Sequence, residues 1–163
     1  MQILQKVIEA LRGELEQYGE ILALLDRQHE LVILSGAEEL NQSFAALHEQ
    51  SALIQRARED RQSSQRTLAL TLRQPEEATF AHLIPLLPEA YRPLVTALVQ
   101  ENNELLLRVR QRAQQNQVML MRSLDLMQHF IDSLVPQEKI QSSQKDDSIV
   151  ALEPAPKLYE AIA

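Results

Sequence analysis

Apolar residues recur every third or fourth position over three long stretches of this chain, the spacing that lines one side of an α-helix rather than the alternation of a strand. The longest stretch, Pro93 to Val135, places Val95, Leu98, Leu105, Val109, Leu120, Leu124, Met127, Ile131 and Leu134 on one stripe, with no Gly or Pro after Pro93. A helix of that length spans roughly 60 Å at about 1.5 Å per residue, more than a helix sustains without a partner. Two earlier stretches supply partners. From Gln2 to Leu34 a four-three alternation runs through Leu4, Ile8, Leu11, Leu15, Tyr18, Leu22, Leu25, His29 and Val32, a heptad seam that predicts coiled-coil-like packing. Gly13 and Gly19 lie off this seam, where each lowers helix stability by about 1 kcal/mol relative to Ala.

Ser35-Gly36 ends the first helix, and Glu38 and Glu39 suit the positive end of a second. Its stripe passes through Leu40, Phe44, Leu47, Ser51 and Ile54, dissolves from Gln55 to Arg66, and resumes at Leu68 and Leu72 before Pro75 stops it. The pattern predicts an antiparallel hairpin whose far half packs less securely. Between Gln74 and Pro93 the chain is punctuated by Pro75, Pro85 and Pro88. One or two helical turns are expected at Glu76 to Leu83. Phe80, Leu83, Ile84, Leu86 and Leu87 are too apolar for a free linker, so this crossover is expected to pack over one end of the bundle. Past Val135 the chain turns polar and proline-bounded, then ends in IVALEPAPKLYEAIA, which is too short to fold alone. Residues 1–135 are thus read as a helical bundle domain and 136–163 as a flexible or loosely docked C-terminal tail.

Composition agrees with this pattern. The 163 residues are 45% hydrophobic with three Gly, no Trp and no Cys, the profile of long helices rather than sheets. The fold class is all-α: an antiparallel bundle of three long helices with a short helical crossover. Lack of cysteine removes disulfides and thiolate chemistry and fits a reducing compartment, the cytoplasm. No apolar run is long enough for a signal peptide or a membrane span. A net charge of −7 opposes a broad nucleic-acid footprint.

Candidate chemistry is sparse. His29, His48, His82 and His129 are too far apart in sequence to form a two-histidine face, so no metal or cofactor site and no catalytic constellation is expected. His29 reads as a partly hydrated packing residue. His48 is tested as a phosphoryl acceptor and reads as a solvated histidine, since Glu49 beside it would repel a phosphate. Arg56, Arg58, Arg61 and Arg66, with Arg108, Arg110 and Arg112, read as solvated helix faces without the aromatic residues that nucleic-acid binding requires. Asn102-Asn103 interrupts the third stripe, as a buried amide fixing register would. The broad feature is Val118 to Val135, which holds three of the four Met and an apolar face wider than one seam needs. Such a face suits capture of amphipathic helices, and equally suits cover by the hairpin or by the terminal Leu158-Tyr159 piece of this chain.

The block EQYGEILALLDRQHELVILSGAEELNQSFAALHEQSALIQRARED and the later NNELLLRVRQRAQQNQVMLMRSLDLM resemble the FlgN family of flagellar export chaperones, over roughly Leu4 to Leu134. The resemblance implies a cytoplasmic, non-enzymatic chaperone that binds the C-terminal helical segments of hook-associated filament-junction proteins. It would bring them unpolymerised to the flagellar type III export apparatus. The family's substrate site lands on Leu120, Leu124, Met127, Phe130, Ile131 and Leu134, and a tyrosine associated with export-gate docking lands on Tyr159. A monomer or weak homodimer is expected, with no membrane insertion. Two other readings stand beside it: a histidine phosphotransfer-like bundle centred on His48, and a dimeric coiled-coil scaffold whose seams pair between chains.

Overall fold

The computed structural model describes residues 2–34 and 37–134. Helix α1 is Gln2–Leu34 and α2 is Ala37–Thr71. A short α3, Phe80–Leu83, leads through two 3-10 turns into α4, Arg92–Leu134. No strand occurs among the described residues, as the periodicity predicts. The expected Ser35-Gly36 turn and everything beyond Leu134, Tyr159 included, lie outside the described residues.

Each helix starts and stops for local reasons. Helix α2 opens with Glu38 and Glu39 against its positive end. It closes on Arg73, which takes the left-handed conformation usually given to glycine, with φ 57°. There the Gln74 N–H donates to the Ala69 carbonyl at 2.8 Å and the Arg73 N–H to the Leu70 carbonyl at 3.0 Å. This Schellman closure satisfies carbonyls the helix would leave bare, and Pro75 follows it. Pro93 sits in the first turn of α4, where its missing N–H is not needed.

Helix α1 is the shared partner of the other two long helices. Gln28 pairs with Ser43, Gln50 with Gln17 and Arg61 with Glu14, so α2 runs antiparallel to α1. Asn102 reaches the Leu11 carbonyl and Asn116 the Leu25 carbonyl, so α4 runs parallel to α1. Because α1 is flanked on two sides, its buried face is wider than the heptad seam and turned from it. Val7, Glu14, Ile21 and Gln28 are buried, while Leu15, Leu22, His29 and Val32 are half-buried. Gly13 and Gly19 lie within α1, and a Cβ at either would meet open space.

Two apolar clusters result. One joins Leu4, Val7, Ile8 and Leu11 to Leu68 and Ala69, to Val95 and Leu98, and to Ala78, Phe80, Leu83 and Leu87 of the crossover. The crossover thus packs over one end of the bundle, as its composition predicts, although the α-helical part is only Phe80–Leu83. Gln65 Nε2 donates to the Ala78 carbonyl at 2.9 Å, and Arg92 Nε to the Leu87 carbonyl at 2.8 Å, tying both ends of the crossover to the long helices. The other cluster joins Tyr18, Ile21, Leu25, Ile54, Leu106 and Val109.

Between the clusters lies a polar layer that corrects two expectations. The far half of α2 is not the looser half: Arg58, Arg61, Leu68 and Ala69 are buried there, whereas Phe44 is exposed and Leu40 and Leu47 half-buried. Nor are Arg58 and Arg61 solvated. Arg61 Nε donates to Glu14 Oε2 at 2.7 Å, the Tyr18 hydroxyl donates to Glu14 Oε1 at 2.8 Å, and Arg58 Nη2 donates to the Tyr18 oxygen at 3.1 Å. Glu14, which carries no exposed surface, gives the two guanidinium groups a buried counter-charge.

Burial, and after it the Glu14 carboxylate, pushes the Tyr18 hydroxyl up to about 12. Unfolding returns it to about 10, so the folded chain holds this proton more tightly between those values. Tyr18 therefore contributes its full stabilisation below pH 10 and loses it as pH rises toward 12, a fall of about 2–3 kcal/mol. Urea unfolding at pH 9 and 12 is expected to show this extra loss in the native chain and not in Tyr18→Phe. Equal pH dependence in the two would contradict it.

Candidate functional site

The distal part of α4 is positioned by a repeated contact. Asn102 Nδ2 donates to the Leu11 carbonyl at 3.0 Å, and Asn116 Nδ2 donates to the Leu25 carbonyl at 2.8 Å, each across 91 residues. Both asparagines are buried, and Asn102 is the register-fixing amide that the interrupted stripe predicts. Asn116 is held from three directions: Nδ2 also meets Gln28 Oε1 at 3.1 Å, and Oδ1 accepts from His29 Nδ1 at 2.9 Å. His29 is therefore a half-buried packing residue with a hydrogen-bond partner. An ion pair from Arg112 Nε to Asp26 at 2.6 Å closes the rim. It is partly exposed, and such pairs contribute under about 1 kcal/mol.

A constant offset of 91 residues puts Leu34, the last residue of α1, level with Asp125. Helix α4 continues to Leu134, so its last turns overrun α1 by roughly 13 Å at about 1.5 Å per residue. From Leu120 into the overrun, α4 keeps the three-or-four spacing of the seam. Leu120 is half-buried, and Leu124, Met127 and Ile131 are 66, 63 and 52% exposed. Phe130 and Leu134 belong to the same helix, and their side chains lie outside those described. Val118, Met121 and Leu126 are exposed as well, flanked by Arg122, Asp125 and His129. A shallow groove lined by His29, Arg112, Val118, Met119 and Arg122 leads onto this face.

One further apolar pair is exposed outside the stripe that the sequence predicts. Ile33 and Leu34, at the end of α1, are 63 and 80% exposed. The apolar run Leu31 to Leu34 immediately before Ser35-Gly36 was the available signal.

The other candidates are dispersed. His48 is exposed on α2, and His82 pairs with the Thr79 hydroxyl at 2.8 Å. No group of three His, Cys, Asp or Glu suited to a metal ion occurs among the described residues. Glu14, Tyr18, Arg58 and Arg61 form a buried charged layer, in which the Tyr18 hydroxyl is shifted upward. It is sealed between helices rather than opened to a cleft. Among the described residues, no helix is long and apolar enough to cross a membrane.

The family model described as FlgN protein matches residues 1–144, which takes in all three long helices, the crossover and the exposed α4 face. No curated protein and no solved structure matches the chain. With the match covering most of its length, the chain belongs to the FlgN family of flagellar export chaperones.

Proposed function

We propose that this chaperone works in the cytoplasm by capturing the C-terminal helical segment of a hook-associated filament-junction protein along the distal face of α4. It keeps that segment unpolymerised until delivery to the export apparatus. The observation that carries the reading is the apolar stripe of Leu124, Met127 and Ile131, which continues a packed seam from the level of the last turn of α1 to beyond its end. Leu120, Phe130 and Leu134 extend the site along the same helix. An amphipathic client helix buries these side chains at about 1.5–3 kcal/mol each. Ordering the client offsets about 2–5 kcal/mol of that. The loss of translational and rotational freedom on association offsets more, so affinity depends on how completely these few side chains are buried.

The test is calorimetric titration of the full chain with a peptide spanning the C-terminal segment of a hook-associated protein. One-to-one saturable binding with a negative heat-capacity change is expected, weakened about tenfold by Leu124→Asp. Leu124 is exposed, so this substitution leaves the circular dichroism unchanged. Absence of binding by the native chain, or equal affinity in the variant, overturns the reading.

A further inference from the structure

We infer that the tip of the α1–α2 hairpin, through Ile33 and Leu34, forms a second wall of the helix-capturing surface and meets one end of the captured helix. The inference rests on the function proposed above and adds to it a part of the fold remote in sequence from α4. Its basis is continuity with the α1–α4 interface. The stripe that runs past Asn116 to Leu124, Met127 and Ile131 extends the face that α1 itself covers lower down. A helix laid on the stripe therefore follows the path of α1 beyond its end. That path begins at Leu34, which the asparagine contacts set level with Asp125.

Two large apolar side chains stand exposed at that starting point. The last residues of a helix need no apolar side chains for capping, and Lys, Arg or His would serve its negative end better. None of these is present in the last turn of α1. The occupant that fits is an amphipathic helix whose long side lies on α4 and whose terminal turn sets an apolar residue against Ile33 and Leu34. The surface is then a corner with two walls. A corner fixes where a helix stops along the groove, whereas a single stripe lets it slide by a turn.

The full chain, Leu124→Asp and the double variant Ile33→Asp/Leu34→Asp are titrated with the peptide used above, with sedimentation on each protein. The tip variant is expected to bind about tenfold more weakly, with a smaller negative heat-capacity change and unaltered circular dichroism. A second measurement does not depend on the variant alone. Peptides shortened by one turn at either end are titrated against both proteins. One truncation is expected to weaken binding to the native chain while leaving binding to the tip variant unchanged, the signature of a direct pairing. If Leu124→Asp weakens binding but the tip variant binds like the native chain, the tip plays no part and the α4 site stands without it. If the native chain is a dimer that the tip substitutions dissociate with no change in peptide affinity, the tip joins two copies and the inference falls. If the native chain binds no peptide, the proposed function and this inference fall together.

Discussion

Glu14→Ala is expected to destabilise the chain by about 3–5 kcal/mol, the effect of removing one partner from a buried ionic group. The substitution deletes a carboxylate with no exposed surface and leaves Arg58 and Arg61, both buried, without their counter-charge. It also removes the acceptor of the Tyr18 hydroxyl. A loss of this size is a large share of the roughly 5–15 kcal/mol that holds a domain together. Urea unfolding measures it. Replacing the whole layer by apolar residues, Glu14→Leu with Tyr18→Phe, Arg58→Leu and Arg61→Met, is expected to restore most of the stability, because desolvating the charges offsets much of their attraction. A loss below about 1 kcal/mol in the single variant would mean that the arginine heads reach water along their alkyl stems instead.

Phe80→Ala has the second large expected effect, about 3–5 kcal/mol, from lost transfer energy together with the cavity left behind. Phe80 is fully buried in the cluster that joins α1, the end of α2, the crossover and the start of α4. The surrounding side chains are fixed by three helices and cannot collapse into the void. The crossover is held by this packing and by its two end hydrogen bonds rather than by helix of its own, since α3 has 4 residues and a helix that short has no stability of its own. Hydrogen exchange is therefore expected to accelerate first between Thr79 and Tyr91. Uniform acceleration across all three long helices instead would show that the crossover unfolds only with the whole bundle.

Much of this architecture is legible along the chain, for identifiable reasons. Helices α1 and α4 each carry a long apolar stripe and α2 an interrupted one, and Gly36, Pro75 and Pro93 mark where they stop and start. The three-or-four spacing also singles out the distal face of α4 as wider than one seam requires. What periodicity misses is polar burial. Arg61 reads as a solvated charge until the hairpin brings it to Glu14, 47 residues away. An apolar template passes over Glu14 and Gln28, which shifts the deduced seam of α1 by one residue. For the same reason the charged run Gln55 to Arg66 reads as loose, although it contains the best-buried polar residues of α2. Exposure is illegible for a different reason. A stripe of Leu and Met looks the same whether or not a partner reaches it, and only the register between α1 and α4 reveals that α1 ends short of Leu134.

That register constrains how chains of this design can change in length. The two asparagine contacts are rungs at equal intervals on both helices, 14 residues from Asn102 to Asn116 and from Leu11 to Leu25. An insertion or deletion between the rungs of one helix misaligns the other unless it is matched there. Seven-residue changes made in both are the ones that preserve the facing sides. The crossover from Gln74 to Tyr91 lies outside the rungs, and a residue gained or lost there leaves both contacts in place. The bundle thus behaves as a ruler graduated on two edges, in which the reach of α4 past α1 alters only through residues beyond Asn116 or beyond Leu25.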